Sequence, residues 1–211
     1  MNADKILPAE YKSGSVIVRK ASILEFPVLE KMLARAFDDD PLVNWMCLQD
    51  RHRTERIIRW MNLVLELALP FGEIYTTHDQ TGAAGWIPPG KTDIGFREMP
   101  MVLSKGIRFT GLRHAVAVLL VSFIFEKHRP KTPHWYLQPL GVEPSLQGKG
   151  IGGALLQPSL NRCDQDHIPA YLVTNTEKNV RFYEHRGFKV IERLKLPYGA
   201  PDSWCMLREP P

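Results

Sequence analysis

Cysteine is scarce in this chain. Cys47, Cys163 and Cys205 are an odd, widely spaced set with no CxxC pair. That excludes a disulfide framework and the usual zinc spacing. No metal site is expected. Long apolar runs are also lacking. The most apolar, Ala115–Phe125 (AVAVLLVSFIF), is about half of what a bilayer span needs, so it reads as a buried helix or a pocket wall and no membrane partner is expected. The opening Met1-Asn2-Ala3-Asp4-Lys5 lacks the apolar core of a signal peptide, and the expected compartment is the cytoplasm. Neither charge sign dominates: 27 Lys and Arg against 23 Asp and Glu leave +4. The basic residues are scattered rather than set in a stripe, so no nucleic-acid partner is expected. Internal repeats and low-complexity tracts are absent.

What is present is an ordinary globular balance, 44% hydrophobic and 24% charged over 211 residues, suited to one domain. Ser15–Ala21 predicts a strand. Ser22 caps a helix reaching about Phe37, with Pro27 in its first turns and Leu29, Leu33 and Ala36 on its apolar stripe. Asp38-Asp39-Asp40-Pro41 breaks it. Residues 51–69 predict a second amphipathic helix with Ile57, Trp60, Val64 and Leu67 on one side, stopped by Pro70 and Gly72. Glu73–Thr77 and Ala83–Ile87 predict a hairpin around Asp79-Gln80-Thr81-Gly82. Residues 93–128 hold one or two helices in a long insertion. His134–Val142 is a strand, Ile151–Asp164 a helix kinked at Pro158, Ala170–Thr174 a strand and Glu177–His185 a helix. Phe188–Leu194 and Ser203–Leu207 are the final strands. The pattern is α+β, a mixed α/β sheet with an antiparallel start and late βαβ units.

Gln147-Gly148-Lys149-Gly150-Ile151-Gly152-Gly153 lies at the junction of the strand His134–Val142 and its helix. Glycines there allow positive φ and close approach, and a helix N-terminus adds partial positive charge: a seat for phosphate or pyrophosphate. A P-loop is excluded, because no Lys-Ser/Thr pair opens the helix. GxGxxG fits at Gly148, Gly150 and Gly153. The dinucleotide reading also needs an acidic residue at the end of the next strand, which instead ends Val173-Thr174-Asn175, and too little chain follows to complete a doubly wound fold.

A third pattern, Gln/Arg-x-x-Gly-x-Gly/Ala, is met by Gln147, Gly150 and Gly152. With LGVEPSLQGKGIGGALL and the later NVRFYEHRGF (Asn179–Phe188), the chain resembles the GNAT superfamily of acyl-CoA N-acyltransferases. The flanking runs HWYLQPLGV and LPYGAPDSWCMLREP are similar to those of puromycin N-acetyltransferase and its relatives, although Val173 stands where such relatives often carry an acidic residue. The resemblance implies a GNAT-type fold: a twisted mixed sheet of about seven strands flanked by helices, with splayed central strands. It further implies one N-acetyltransferase domain over 1–211, with 93–133 as a helical insertion on the substrate side and 134–208 as the acetyl-CoA-binding core.

Pro139 and Gly141 independently mark a bulge or a close approach in the strand. In the resembled superfamily the pantetheine arm lies in the gap beside this strand, at positions matching Leu140, Gly141 and Val142. A backbone N–H at or next to Leu140 then polarises the thioester carbonyl and stabilises the oxyanion. Gln147–Gly153 wraps the pyrophosphate, with Lys149 either at a phosphate or solvated; Ile151, Ala154 and Leu155 face the core. Asn175, Asn179 and Tyr183, spaced by four, share a helix face, with the Asn residues on the pantetheine amides or acting as caps. Phe182 and Tyr183 complete the cofactor contacts. The resemblance implies that Tyr183 protonates the leaving thiolate as general acid, core packing being its bland alternative. Gly187 fits a helix C′ position.

The resemblance therefore implies acetyl-CoA as co-substrate, direct transfer to a primary amine of a small molecule, and a possible homodimer. The general base stays open among His78, His134, Glu73, Asp38–Asp40 and ordered water. Trp45, Trp60, Trp86, Phe96, Phe109 and Phe123 make the acceptor side aromatic-rich, or fill the core. A protein or peptide acetyltransferase and a non-catalytic acetyl-CoA-binding module are the rival readings.

Overall fold

The computed structural model describes residues 10–14, 16–71, 73–91 and 99–211. In chain order the strands are β1 (Glu10–Ser13), β2 (Val16–Lys20), β3 (Ile74–Thr77), β4 (Gly82–Ile87), β5 (Trp135–Val142), β6 (Ala170–Thr174), β7 (Lys189–Leu194) and β8 (Ser203–Arg208). The helices are α1 (Phe26–Ala36), α2 (Pro41–Met46), α3 (Arg53–Ala68), α4 (Met99–Thr110), α5 (Leu112–His128), α6 (Ile151–Asp166) and α7 (Glu177–Glu184). The strands form one sheet in the order β1-β2-β3-β4-β5-β6-β8-β7. Every pair is antiparallel except β5–β6.

Alternate residues of the hairpin β3–β4 build two cores, as the two-residue period of a strand requires. Ile74 and Ala83 join a cluster with Leu29, Leu33, Ile57 and Met61 from α1 and α3. Tyr75, Ala84 and Trp86 point the other way, into a cluster with Leu155, Leu156 and Leu160 from α6. The sheet is thus covered on both faces.

Local sequence accounts for three of the helix starts, those of α1, α2 and α7. Ser22 accepts from the Leu24 N–H while Glu25 returns a carboxylate to the Ser22 N–H, and Pro27 takes the first turn of α1. Several expectations need correction. The sheet has eight strands, not about seven: β1 (EYKS) is a short, mostly polar edge strand with no apolar alternation. Asp38-Asp39-Asp40-Pro41 does not only end α1. Asp40 caps α2 by accepting from the Leu42 and Val43 N–H groups, with Pro41 at its first position. The buried stripe of α3 runs through Ile57, Met61, Leu65 and Ala68, leaving Trp60 and Leu67 half-buried. Pro158 lies inside α6, as expected. Gly111 (φ 76°) divides the insertion into α4 and α5. Gly72 and Phe96 lie outside the described residues.

Candidate functional site

The centre of the sheet opens. β5 and β6 pair at only two positions, Trp135↔Ala170 and Tyr136↔Tyr171. Beyond them β6 stays paired with β8 through Thr174↔Trp204, and β5 with β4 through Val142↔Gly82. A bulge marks where β5 turns away. Leu137 faces Trp86 and Leu140 faces Ala84, so Gln138 and Pro139 together oppose Gly85. Gly85 is required there, since a Cβ on it would lie 2.6 Å from the Gln138 carbonyl oxygen.

The direction of the backbone groups in this gap follows from strand alternation. The Glu143 N–H donates to the Thr81 carbonyl, beside β4, at 2.8 Å. Gly141, two residues earlier, faces the same way, and the N–H groups of Leu140 and Val142 point to the opposite side, into the gap. On β6 the Pro169 carbonyl accepts from the Trp135 N–H, so Val173 presents its own N–H and C=O to the gap. The gap is therefore walled by strand backbone with no ladder partner.

Next to it lies the glycine-rich turn. Gly148 and Gly150 hold φ of 78° and 84°, conformations that disfavour any side chain, and nothing lies within 4 Å of where a Cβ would stand. Gly150 is the N-cap of α6 and supplies no side-chain cap. The N–H groups of Gly150, Ile151, Gly152 and Gly153 have no hydrogen-bond acceptor among the described residues. They are the orphan donors of a 16-residue helix, converging on open solvent. The other two glycines answer to packing. A Cβ on Gly152 would press Phe182 at 3.2 Å, and one on Gly153 would strike the Arg186 guanidinium. Gln147 is exposed and donates from its amide to the Val142 carbonyl at 3.3 Å, tying the turn to the end of β5. Lys149 is exposed, and Ile151 is buried in the core.

The helix α7 closes the far wall. Its cap is Thr176, which accepts from the Asn179 N–H. Asn175 therefore lies outside the helix, and Asn175, Asn179 and Tyr183 do not share one helix face. The Asn175 amide donates to the Ser203 hydroxyl at 2.6 Å, fixing the end of β6 to β8. Asn179 is half-buried. Tyr183 is buried between Phe182 and Phe188, with ring centroids 5.0 and 5.7 Å away, edge to face. Burial pushes its phenol well above the usual range, Arg186 opposes that shift, and the charge of Asp40 adds to it.

Asp40 stands at the start of α2. Asp40 uses Oδ1 for both capping bonds, at 2.9 and 3.0 Å, and Oδ2 has no hydrogen-bond partner among the described residues. Burial raises the Asp40 carboxyl above its ordinary value, against the two capping N–H groups. Asp38 is engaged by Arg53, and Asp39 is exposed. The sequence offers Asp38–Asp40 both as a helix break and as base candidates, without singling out Asp40. The Asp-Pro signature of a helix start was there to be used.

The other base candidates lie elsewhere. Glu73 is buried and fully engaged: Oε1 accepts from Arg162 at 2.9 Å and Lys20 at 3.2 Å, Oε2 from the Tyr75 hydroxyl at 2.9 Å. This is a structural ion cluster. His134 precedes β5 at the end away from the gap, ~20 Å along the strand from Leu140. Its Nδ1 is bound to the Thr132 carbonyl at 2.8 Å, and burial lowers its pKa. His78 is exposed beyond β3, with β4 between it and β5. All three cysteines are buried thiols pushed up by burial, Cys163 to about 12. No cluster of three metal-ligating side chains occurs among the described residues.

The expected aromatic wall is largely dispersed. Trp86 is fully buried in the core and Phe123 is 68% exposed on the outer face of α5. Trp60 stacks on Phe109 at 4.7 Å and lines a separate cavity of about 520 Å³ with Arg56, Arg59 and Lys105; no residue of the strand gap lines it. On α2, the helix that Asp40 caps, the one residue of that set among those described is Trp45. Its Nε1 donates to the Tyr198 carbonyl at 3.0 Å and its ring meets His114 at 4.6 Å, so α2, α5 and the β7–β8 connection are joined.

Comparison with known proteins agrees with this geometry. The family model described as the acetyltransferase (GNAT) domain matches residues 95–199. An uncharacterized N-acetyltransferase of Schizosaccharomyces pombe is 44% identical over 54 residues, 26% of this chain and 22% of that protein. The chain thus aligns with less than a quarter of that relative's length. Among solved structures, a histone acetyltransferase HPA2 and related acetyltransferase from Corynebacterium glutamicum aligns over 92% of this chain and 96% of its own, with TM-score 0.69 and 22% identity. The arylalkylamine N-acetyltransferase 2 of Aedes aegypti gives 0.61 at 14% identity over 93% and 99%. The polyamine N-acetyltransferase of Drosophila melanogaster gives 0.59 at 17% over 92% and 100%. At these identities the structures share the fold.

Proposed function

We propose, from the match of the acetyltransferase (GNAT) domain model to residues 95–199, that this chain transfers the acetyl group of acetyl-CoA directly to the primary amine of a small molecule. The observation that carries the reading is the pairing of an open strand gap with four unbonded N–H groups at its end. Pyrophosphate would be held by the Gly148–Gly153 turn, with Lys149 beside it. The pantetheine arm would lie along Leu140, Gly141 and Val142 on one side and Val173 on the other, with Asn175, Asn179 and Phe182 closing over it. That donor set fits a long chain of amides ending in a thioester.

The chemistry assigned to the chain is simple. A substrate nitrogen attacks the acetyl carbonyl, forming the C–N bond as the C–S bond breaks. The Leu140 N–H stabilises charge on the carbonyl oxygen. Tyr183, kept protonated by burial, gives its proton to the departing sulfur. Asp40 takes the first proton of the ammonium through Oδ2 and releases it to solvent, and the second, lost from nitrogen as the tetrahedral intermediate collapses, restores the Tyr183 phenol through solvent. An alkyl ammonium needs such a base, because its pKa of about 10 keeps it protonated at neutral pH. No buried thiol is asked to form an acyl-enzyme. Positioning supplies much of the rate.

A small acceptor is favoured over a peptide because Trp45, His114 and Tyr198 tie three segments together at the helix that Asp40 caps. Solved neighbours named for polyamine and arylalkylamine substrates point the same way. The resemblance of the flanking runs to puromycin N-acetyltransferase is compatible with this class, but Val173 weighs against puromycin as the acceptor. The test is a panel of polyamines, arylalkylamines and peptides, assayed for coenzyme A thiol release. Turnover on small primary amines is expected. Turnover confined to peptides would overturn the acceptor assignment, and binding without any turnover would make the protein a sensor of acetyl-CoA.

A further inference from the structure

The helix α5 is apolar on both sides. Its inner side, with Ala115 and Val121 buried and Ile124 and Phe125 packed beside Tyr171 and Leu194, covers the sheet near β6. Its outer side is exposed: Leu112 74%, Val116 64%, Leu119 55%, Leu120 43% and Phe123 68%. Steps of four, three and four separate Leu112, Val116, Leu119 and Phe123, which is the heptad spacing of a helix–helix seam. No charged residue occurs between Ala115 and Phe125. A helix apolar all round needs cover on both sides. The one hydroxyl near the stripe, Ser122, already donates to the Val118 carbonyl at 2.9 Å, so burial would leave it satisfied.

We propose that this face is the homodimer interface and that α5 of a second copy covers it, antiparallel across a two-fold axis. The seam is self-complementary about the midpoint between Leu119 and Leu120. In that register Leu119 meets Leu120 of the second copy and Val116 meets Phe123, a small side chain against a large one. Leu112 meets the aliphatic stem of Lys127. Self-complementarity is what a two-fold contact demands. The helix dipoles oppose each other favourably, and Glu126, paired with Arg129 at 2.9 Å, falls on the polar rim. Five large side chains at about 100 Å² each give roughly 500 Å² per copy, and about 1,000 Å² in all reaches the lower bound of a specific interface. The inference does not depend on the reaction assigned above.

Sedimentation velocity of the full chain across micromolar concentrations tests it. A species of twice the 24.1 kDa chain mass is expected. Leu119→Glu should weaken the association at least ~100-fold. The double variant Leu119→Glu with Leu120→Lys should restore it, because each introduced glutamate then faces a lysine of the second copy. Far-ultraviolet circular dichroism separates dissociation from misfolding, and Val116→Glu provides a second disrupting variant. A wild-type monomer up to ~100 μM would overturn the proposal, whether a segment of the same chain or a lipid vesicle covers the face instead. A dimer indifferent to Leu119→Glu and Val116→Glu would also overturn it.

Discussion

Leu33 lies directly over Gly141: a Cβ at position 141 would stand 2.6 Å from Leu33 Cδ2, with Ala36 and Phe37 at 3.2 and 3.3 Å. The end of α1 therefore rests on bare backbone, at the residue between the two N–H groups that face the gap. Arg35 reinforces the contact through an ion pair with Glu143 at 2.7 Å. One glycine thus sets both the position of β5 and the path of the chain toward Asp40. Gly141→Ala must displace the Leu33 side chain and crowd Ala36 and Phe37 at the end of α1. Overpacking of this kind costs ~1–3 kcal/mol, equivalent to a melting temperature lower by about 3–10 °C. Turnover should fall further than the stability loss explains, because the crowded end of α1 leads to Asp40. Thermal unfolding and steady-state rates on the same preparation check this.

Tyr183→Phe removes one oxygen and keeps the ring between Phe182 and Phe188. The expected loss is 10²–10⁴-fold in kcat, roughly the worth of a positioned acid, with acetyl-CoA affinity nearly unchanged. Burial holds the phenol proton well above the ordinary tyrosine range, so Tyr183 should produce no alkaline limb below about pH 10. An unchanged kcat would remove it from the mechanism.

Asp40→Asn separates chemistry from folding, since an asparagine oxygen can still accept from Leu42 and Val43. A base must be ionised, so kcat/KM should rise with pH along an acid limb. Burial places that limb above the ordinary carboxylate value of about 3.9. Asp40→Asn should abolish the limb and lower kcat/KM ~10²–10⁴-fold. The sign for stability runs the other way. A carboxyl whose pKa is raised by folding binds its proton more tightly in the native state, so stability falls as pH rises from the unfolded value through the native one. At neutral pH the asparagine variant should therefore be no less stable than the wild type. A retained limb would remove Asp40 from the role of base.

The sequence disclosed the parts of this site that depend on backbone chemistry. Gly148 and Gly150 could be read because few residues besides glycine adopt their φ, and Pro139 with Gly141 because a strand tolerates them together only where pairing fails. Contacts made across the fold were hidden. Nothing local says that Leu33 must lie on Gly141, or that Lys20, Glu73 and Arg162 meet in one ion cluster and take Glu73 out of consideration. Trp86 and Phe123 show the same limit: their aromatic character was plain, but burial at the centre of the sheet and exposure on α5 were not. The Asp40-Pro41 start of α2 is legible in the sequence, but three successive aspartates read more readily as a stop.

The most direct test is a crystal structure of the complex with coenzyme A. Its pyrophosphate oxygens should lie about 2.7–3.2 Å from the amides of Gly150 through Gly153, with the pantetheine threaded between β5 and β6 and the sulfur beside Tyr183. A nucleotide bound at another surface, with β5 and β6 still separated and nothing between them, would contradict the account.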